Sequence, residues 1–176
     1  MSDKKYFGKY RGMVINNVDP MQMGRLMVQV PDISGLIPSS WAMPCFPVTG
    51  KQMGTWWLPQ IGAGVWVEFE QGDPDYPIWS GGFWRTVADV PIFATAPPAI
   101  PPGQNIVLQT TGENMVLISD AAPTPATGGI ILKSVSGAMI VVNETGIYIS
   151  NGQGATITLI GPAVAINETA LTVVGA

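Results

Sequence analysis

Hydrophobic positions along the chain follow the alternation of β-strands and not the spacing of helices. No apolar helical pattern runs for three turns without Gly or Pro, whereas alternating and short β-branched runs recur throughout. The chain is therefore predicted to be all-β. In the first half, strands are expected at residues 9–16, 25–30, 55–58, 65–69 and 77–83. Five short strands in about 80 residues fit a small closed barrel, of which the OB-fold is the common five-stranded form.

The second half contains an internal repeat. Residues 137–149 align with residues 161–173, and Asn143-Glu144-Thr145 recurs as Asn167-Glu168-Thr169. A weaker similarity at the same spacing aligns residues 106–108 with 130–132, and Val116 and Ile118 with Ile140 and Val142, so the period is predicted to extend over the whole segment. The apolar positions that match in the clear repeat are Ile140, Val142, Ile147, Ile149, Val164, Ile166, Leu171 and Val173.

A single ribbon of such strands would leave open edges and one wet apolar face. Closing the ribbons of three chains around one axis removes both problems. We therefore expect a trimeric, intertwined β-helical needle over residues 105–176, with those eight side chains at its core and Tyr148, by alternation, facing solvent. An ordinary β-sandwich lobe is the alternative.

The composition also favours association. Charged residues make up 11% of the chain, against roughly 25% in an average soluble domain. With 47% hydrophobic residues and a mean hydropathy of +0.29, much apolar surface is expected to be buried between chains. No segment approaches the roughly 18 to 20 apolar residues of a membrane-spanning helix.

A change of composition marks the predicted boundary between the halves. All the tryptophans lie before residue 85, and the segment 94–103 carries four prolines that favour an extended path. We predict an N-terminal barrel at 1–87, a linker at 88–104 and the needle at 105–176.

Several classes of chemistry are disfavoured. The N-terminus lacks the apolar stretch of a signal peptide, so the chain is expected to be made and kept in the cytoplasm of the producing cell. Cys45 is the only cysteine and is expected to be a small buried hydrophobe. A net charge of −4 would repel nucleic acid.

Two motifs resemble a known family. Val18-Asp19-Pro20 is followed by Gly24-Arg25 and by Ser40-Trp41-Ala42, and residues 58–81 contain Gly72-Asp73-Pro74. This pattern resembles the OB-domain of phage baseplate assembly protein V and of the valine-glycine repeat spikes of type VI secretion. The resemblance implies a non-enzymatic central spike of a contractile phage tail or injection system, located at the baseplate.

Each motif also has a local interpretation. Asp19-Pro20 and Gly72-Asp73-Pro74 are expected to form turns, and Gly24 to supply backbone angles that other residues avoid. Arg25 is expected to pair with Asp19 or Glu68. The tryptophans at 56, 57, 66, 79 and 84 are too bulky to fit wholly inside a small barrel, so they either fill its core or pack on neighbouring chains.

The resemblance also implies partners: a baseplate hub protein, the target envelope, and a tip protein of the proline-alanine-alanine-arginine repeat class. The blunt C-terminus, Thr172, Val173, Val174, Gly175 and Ala176, is the predicted tip contact. Some relatives carry a lysozyme domain after the OB-fold, but here the linker leads directly into the repeat and leaves no room for one. Others end in an iron-binding His-x-His apex, which is not expected here because the chain has no histidine.

No catalytic, metal or cofactor residue is predicted. Cys45 has no histidine to act as its base. Glu68 and Glu70 would share one strand face as a glycosidase pair does, although solvated carboxylates are the expected interpretation. Two rival functions stay open: a trimeric tail fibre or adhesin that binds a surface glycan, and an oligonucleotide-binding OB-fold protein.

Overall fold

The computed structural model describes residues 4–95, 105–168 and 170–174. It divides into two compact units, Met1–Asp89 and Val90–Ala176. Its two α-helices are short, α1 (Pro31–Ser34) and α2 (Ile92–Thr95). Among the described residues, no helix has the length and apolar character needed to cross a membrane.

The N-terminal unit is a closed barrel. Its strands are β1 (Tyr10–Asn16), β2 (Leu26–Gln29), β3 (Pro38–Pro44), β6 (Gly64–Phe69) and β7 (Pro77–Phe83), and β4 (Thr49–Gly50) and β5 (Met53–Gly54) form a separate hairpin. The barrel order β1-β2-β3-β7-β6 closes through a β1–β6 pair, and only β3 and β7 run parallel. This is the five-stranded barrel expected of an OB-fold.

Alternation along the barrel strands fills one compact core. Val14, Leu26, Val28, Val65 and Val67 are fully buried inside it. Trp79 closes the core, and its indole Nε1 donates to the carbonyl of Gly24 at 3.0 Å. The barrel therefore needs no second chain to cover its interior.

One predicted barrel strand was wrong. Residues 55–58 are not a strand, and the third barrel strand is β3, which begins and ends with a proline. Ala42 is the only fully buried side chain in β3. A strand that buries one small residue lacks the alternating signal by which strands are detected in sequence.

The C-terminal unit is an eight-stranded antiparallel sheet in which every strand pairs with the next along the chain. The strands are β8 (Asn105–Gln109), β9 (Met115–Thr124), β10 (Thr127–Lys133), β11 (Met139–Asn143), β12 (Gly146–Ser150), β13 (Thr156–Ile160), β14 (Ala163–Ile166) and β15 (Leu171–Val174). One chain thus forms a continuous meander. The intertwining of three chains stays a prediction.

The 24-residue spacing does not correspond to one structural period. It carries Ile106 to Ile130 across two strands, from β8 to β10, but Ile140 to Val164 across three, from β11 to β14. The cause is the long β9–β10 hairpin, which extends beyond the sheet. Because its strands are longer than the later ones, 24 residues span fewer strands there.

Part of the predicted linker folds with the C-terminal unit. Phe93, on α2, packs against the sheet, and the Asn105 side chain donates to the Phe93 carbonyl at 2.8 Å. The proline-rich residues 96–104 lie outside the described part of the chain.

Candidate trimer interface

Two columns of aliphatic side chains run across the C-terminal sheet on one face. Strand pairing places each member directly opposite the next, from β8 to β15. The first column is Leu108, Val116, Leu132, Ile140, Ile149, Ile157, Ile166 and Leu171. The second is Ile106, Ile118, Ile130, Val142, Ile147, Leu159, Val164 and Val173. Every strand contributes one residue to each column.

These columns are uncovered in the single chain. All but Val164, which is half-buried, are among the exposed large hydrophobic residues, and Ile106 is 63% exposed. Soluble monomers rarely leave a continuous apolar patch of this extent in water. The aliphatic face is therefore an interface that lacks its partner.

The opposite face of the sheet changes character along its length. Over β8–β12 it holds a small core of Met115, Leu117, Ile131, Val141 and Tyr148, covered in part by Phe93. Over β13–β15 the corresponding residues are Thr158, Ala165 and Thr172. The second face is thus covered within the chain near β8, whereas near β15 it is mixed and also exposes Ile160 and Val174.

The expectation that Tyr148 faces solvent was wrong. Its side chain is 8% exposed and packs in that small core, and its hydroxyl lies 2.8 Å from Thr145 Oγ1. Alternation correctly placed Tyr148 on the face opposite Ile149. It could not show that this face has a core of its own.

All eight residues predicted for the trimer core lie in the two columns. The clear repeat missed the other eight, six of which belong to the weaker similarity at residues 106–142. Ile157 and Leu159 escaped notice because β13 lies between the two repeat copies, although its alternation of Thr and aliphatic residues is visible in the sequence.

The repeated Asn-Glu-Thr turns are not equivalent. Asn143 ends β11, and its side-chain amide donates to the carbonyls of Thr124 and Thr127 at 2.7 and 3.0 Å, which ties the long hairpin to the next turn. Asn167 and Glu168 instead have left-handed backbones at φ 46° and 61°. Identical residues therefore occupy different turn geometries.

The Asp19 turn of the barrel is a dense hydrogen-bonded site. The Asp19 carboxylate accepts from the backbone N–H groups of Met21 and Met23 at 3.0 and 2.9 Å and from Arg25 Nη2 at 2.6 Å. Arg25 also lies over the Trp41 ring at 5.5 Å. Of the two carboxylates considered for Arg25, it contacts Asp19.

This environment changes the acidity of Asp19. The hydrogen-bonded Arg25 guanidinium, assisted by the backbone donors and opposed by burial, holds the pKa of the Asp19 carboxyl well below its usual range. The same pair raises the pKa of Arg25. The ion pair between Asp19 and Arg25 therefore stabilises the connection between β1 and β2.

Glycines in both motifs have the conformations that the turns require. Gly24 has φ +78°, and a Cβ there would lie 3.3 Å from Phe46 and Trp56. Gly72 has φ +76°, and a Cβ would lie 3.0 Å from Phe7. After it, Asp73 Oδ1 accepts from the Asp75 N–H at 3.1 Å, while Pro20 and Pro74 follow the two turn aspartates.

Comparison with protein families gives one match in each of the two units. Residues 10–84 match the type VI secretion system/phage-baseplate injector OB domain, and residues 105–172 match the phage baseplate V C-terminal trimerisation domain. The chain belongs to the phage baseplate V family. The trimerisation match covers almost the whole aliphatic face and supports a homotrimer. No curated protein matches the chain.

The tryptophans of this baseplate V protein differ widely in how far they are buried. Only Trp79 lies in the barrel core, while Trp66 is half-buried between Phe83 and Arg11, at 4.9 and 5.7 Å. Trp56, Trp57 and Trp84 are more than half exposed. The N-terminal unit therefore presents aromatic surface that its own core does not use.

Two expectations about reactive groups were wrong. Cys45 is exposed and not buried. Glu70 lies in a 3₁₀ turn (Glu70–Gly72) after β6, so it does not share a strand face with Glu68. Glu68 pairs with Lys9 at 3.2 Å. Within the described residues, no group of three His, Cys, Asp or Glu side chains could hold a metal ion.

The predicted tip residues fall partly outside the described chain. Thr172, Val173 and Val174 are exposed on β15, the last strand of the sheet, whereas residues 175 and 176 are not described. Val173 belongs to an aliphatic column, and Thr172 lies on the opposite face. In this baseplate V protein the predicted tip contact therefore shares a strand with an aliphatic column.

Proposed function

We propose that three copies of this chain form the central spike of a contractile tail or injection system, with the aliphatic columns buried along the spike axis. The observation that carries the proposal is the pair of uncovered columns within a trimerisation domain. Each copy would supply one face of a closed needle, and each layer would bring two aliphatic side chains from each copy to the axis.

The dimensions suit a needle. The columns run along the hydrogen-bonding direction, so eight strands at about 4.8 Å apart give a core about 34 Å long. Every strand is bonded laterally to its neighbour in the meander. A closed three-sided core of this kind would resist axial load because no long edge is free to unravel.

The piercing role is supported by the injector OB-domain family that residues 10–84 match. The face opposite the columns is mixed over the last three strands, where Thr158, Ala165 and Thr172 lie beside exposed Ile160 and Val174. The barrel unit, with its independent core, would seat the spike on the baseplate hub.

The end at β15 needs a cover. Its outer edge is unpaired in the sheet, and three copies would present three such edges together. A separate tip protein of the proline-alanine-alanine-arginine repeat class, contacting Thr172, Val173, Val174 and residues 175 and 176, would protect them.

A dye-release assay tests the function. Contractile particles assembled with the wild-type chain are expected to release dye from envelope vesicles when the sheath contracts. Particles assembled with Ile149→Asp should contract without releasing dye, because the needle cannot close. Undiminished release by the variant would contradict the piercing role.

A further inference from the structure

The N-terminal unit exposes an apolar loop tip just before β3. Leu36 and Ile37 are 85% and 69% exposed. The turn that presents them is held in place, since Ser34 Oγ donates to the Ile37 carbonyl at 2.7 Å and the Ile37 N–H donates back to the Ser34 carbonyl at 3.1 Å. A prearranged apolar tip loses little conformational entropy when a partner binds it.

A second apolar surface lies just after β3, around the β4–β5 hairpin. Val48, Met53, Trp56 and Trp57 are all at least half exposed there. Between Asp32 and Glu68 the chain contains a single charged residue, Lys51. Enrichment in Trp and Met with depletion of charge is the composition of an interface core between proteins.

The two surfaces lie at opposite ends of one strand. Since β3 is a strand of seven residues, its ends are about 20 Å apart. The loop tip and the hairpin surface are therefore two separate sites on one barrel. A ring of identical subunits requires just that, because each copy must offer one surface to the neighbour on its left and a different one to the neighbour on its right.

We propose that in the trimer the Leu36–Ile37 tip of one barrel packs on the β4–β5 hairpin surface of the next copy. This inference rests on the trimer of the proposed function. Two half-exposed tryptophans with their neighbours offer only a few hundred Å², below the roughly 800 Å² per partner of a stable interface between free proteins. The neighbouring copy is the occupant because the trimerisation domain holds it nearby at about millimolar effective concentration.

Site-specific crosslinking tests the contact, using Cys45, which is exposed beside the hairpin surface and is the chain's only cysteine. In the full-length Leu36→Cys variant, the two thiols of one chain lie about the length of β3 apart. A bifunctional thiol reagent with less than half that reach can join them only between chains. Covalent dimers and trimers are expected on denaturing gels.

Matched controls separate this contact from others. Two controls have a single thiol per chain: Leu36→Cys with Cys45→Ser, and the wild type with Cys45 alone. Both should show only monomer bands on denaturing gels after treatment with the reagent. The same reagent on Leu36→Cys combined with Ile149→Asp should also give monomers, since the copies are no longer held together.

Two results would overturn the proposal. One is the absence of covalent products in Leu36→Cys when its mass in solution is that of a trimer and both thiols react with a monofunctional reagent. The other is covalent dimers of the Leu36→Cys, Cys45→Ser control, which would place the Leu36 tips of two copies against each other and not against the hairpin surface. A chain that is monomeric before crosslinking would instead contradict the proposed function.

Discussion

The two units of the chain use the same alternation of apolar and polar residues with opposite results. In the barrel, Val14 and Val65 have no exposed surface because the sheet closes on itself. In the C-terminal sheet, Ile140 and Ile147 remain more than a third exposed because the sheet stays open. Closure, and not hydrophobic content, decides whether a β-sheet is complete as a single chain.

Separating the units should give the largest effect. A fragment of residues 1–89 is expected to be a folded monomer, since its core is complete, while a fragment of residues 90–176 should form a trimer. Light scattering of each fragment distinguishes the two. If the barrel fragment trimerised as tightly as the full chain, the assembly energy would lie in the wrong unit.

Ile149→Asp should abolish the trimer in the full chain. Three carboxylates would meet in a dry core, where burial of even one unpaired charge costs several kcal/mol. The matched control is Thr172→Asp, on the opposite face of β15, which should change stability by about 0.5 kcal/mol or less. Sedimentation of the two variants gives the answer, and a normal Ile149→Asp trimer would show that the columns are not the interface.

Tyr148→Asp should destabilise the C-terminal unit itself. It removes a buried ring from the small core and places a charge there, at a cost of about 3 kcal/mol or more. Tyr148→Phe keeps the ring, loses only the contact to Thr145 and should cost about 1 kcal/mol. Thermal melting followed by circular dichroism measures both, and a wild-type melt for Tyr148→Asp would mean that this face has no core.

Asp19→Asn should weaken the barrel in a pH-dependent way. The pKa of Asp19 is depressed in the folded state, so its stabilising effect is present above the unfolded pKa of about 3.9 and is lost as the pH falls towards the folded value. The difference between wild type and variant should therefore shrink below about pH 4.

Tryptophan fluorescence isolates this effect, because all six tryptophans belong to the N-terminal unit. Asp32→Asn, at an exposed carboxylate on α1, is the control and should melt as the wild type does at neutral pH. A difference between wild type and Asp19→Asn that grows in acid would contradict the role of the Arg25 pair.

Much of the fold could be predicted from alternation and turns. Strands such as β6, which alternates fully buried Val65 and Val67 with half-buried Trp66, carry a strong signal. β3 carries little, because a small alanine fills its one fully buried position. The register of the columns at Ile140, Val142, Ile147 and Ile149 followed from the repeat, since strands of equal length joined by short turns pair in order.

The remainder depends on contacts between distant segments. That Tyr148 is covered depends on Phe93 and β9, and that Cys45 is exposed depends on where the hairpin after β3 lies. Glu68 pairs with Lys9, which just precedes β1 and is 59 residues away in the chain, and this partner could not be read from the sequence near Glu68. None of these arrangements leaves a local pattern in the sequence.

The mass of the full-length protein in solution tests the central claim most directly. Three copies of 18.6 kDa predict a particle of about 56 kDa that persists on dilution, because the two aliphatic columns of each copy are buried only in the assembly. A stable monomer of 18.6 kDa at the same concentrations would contradict the account.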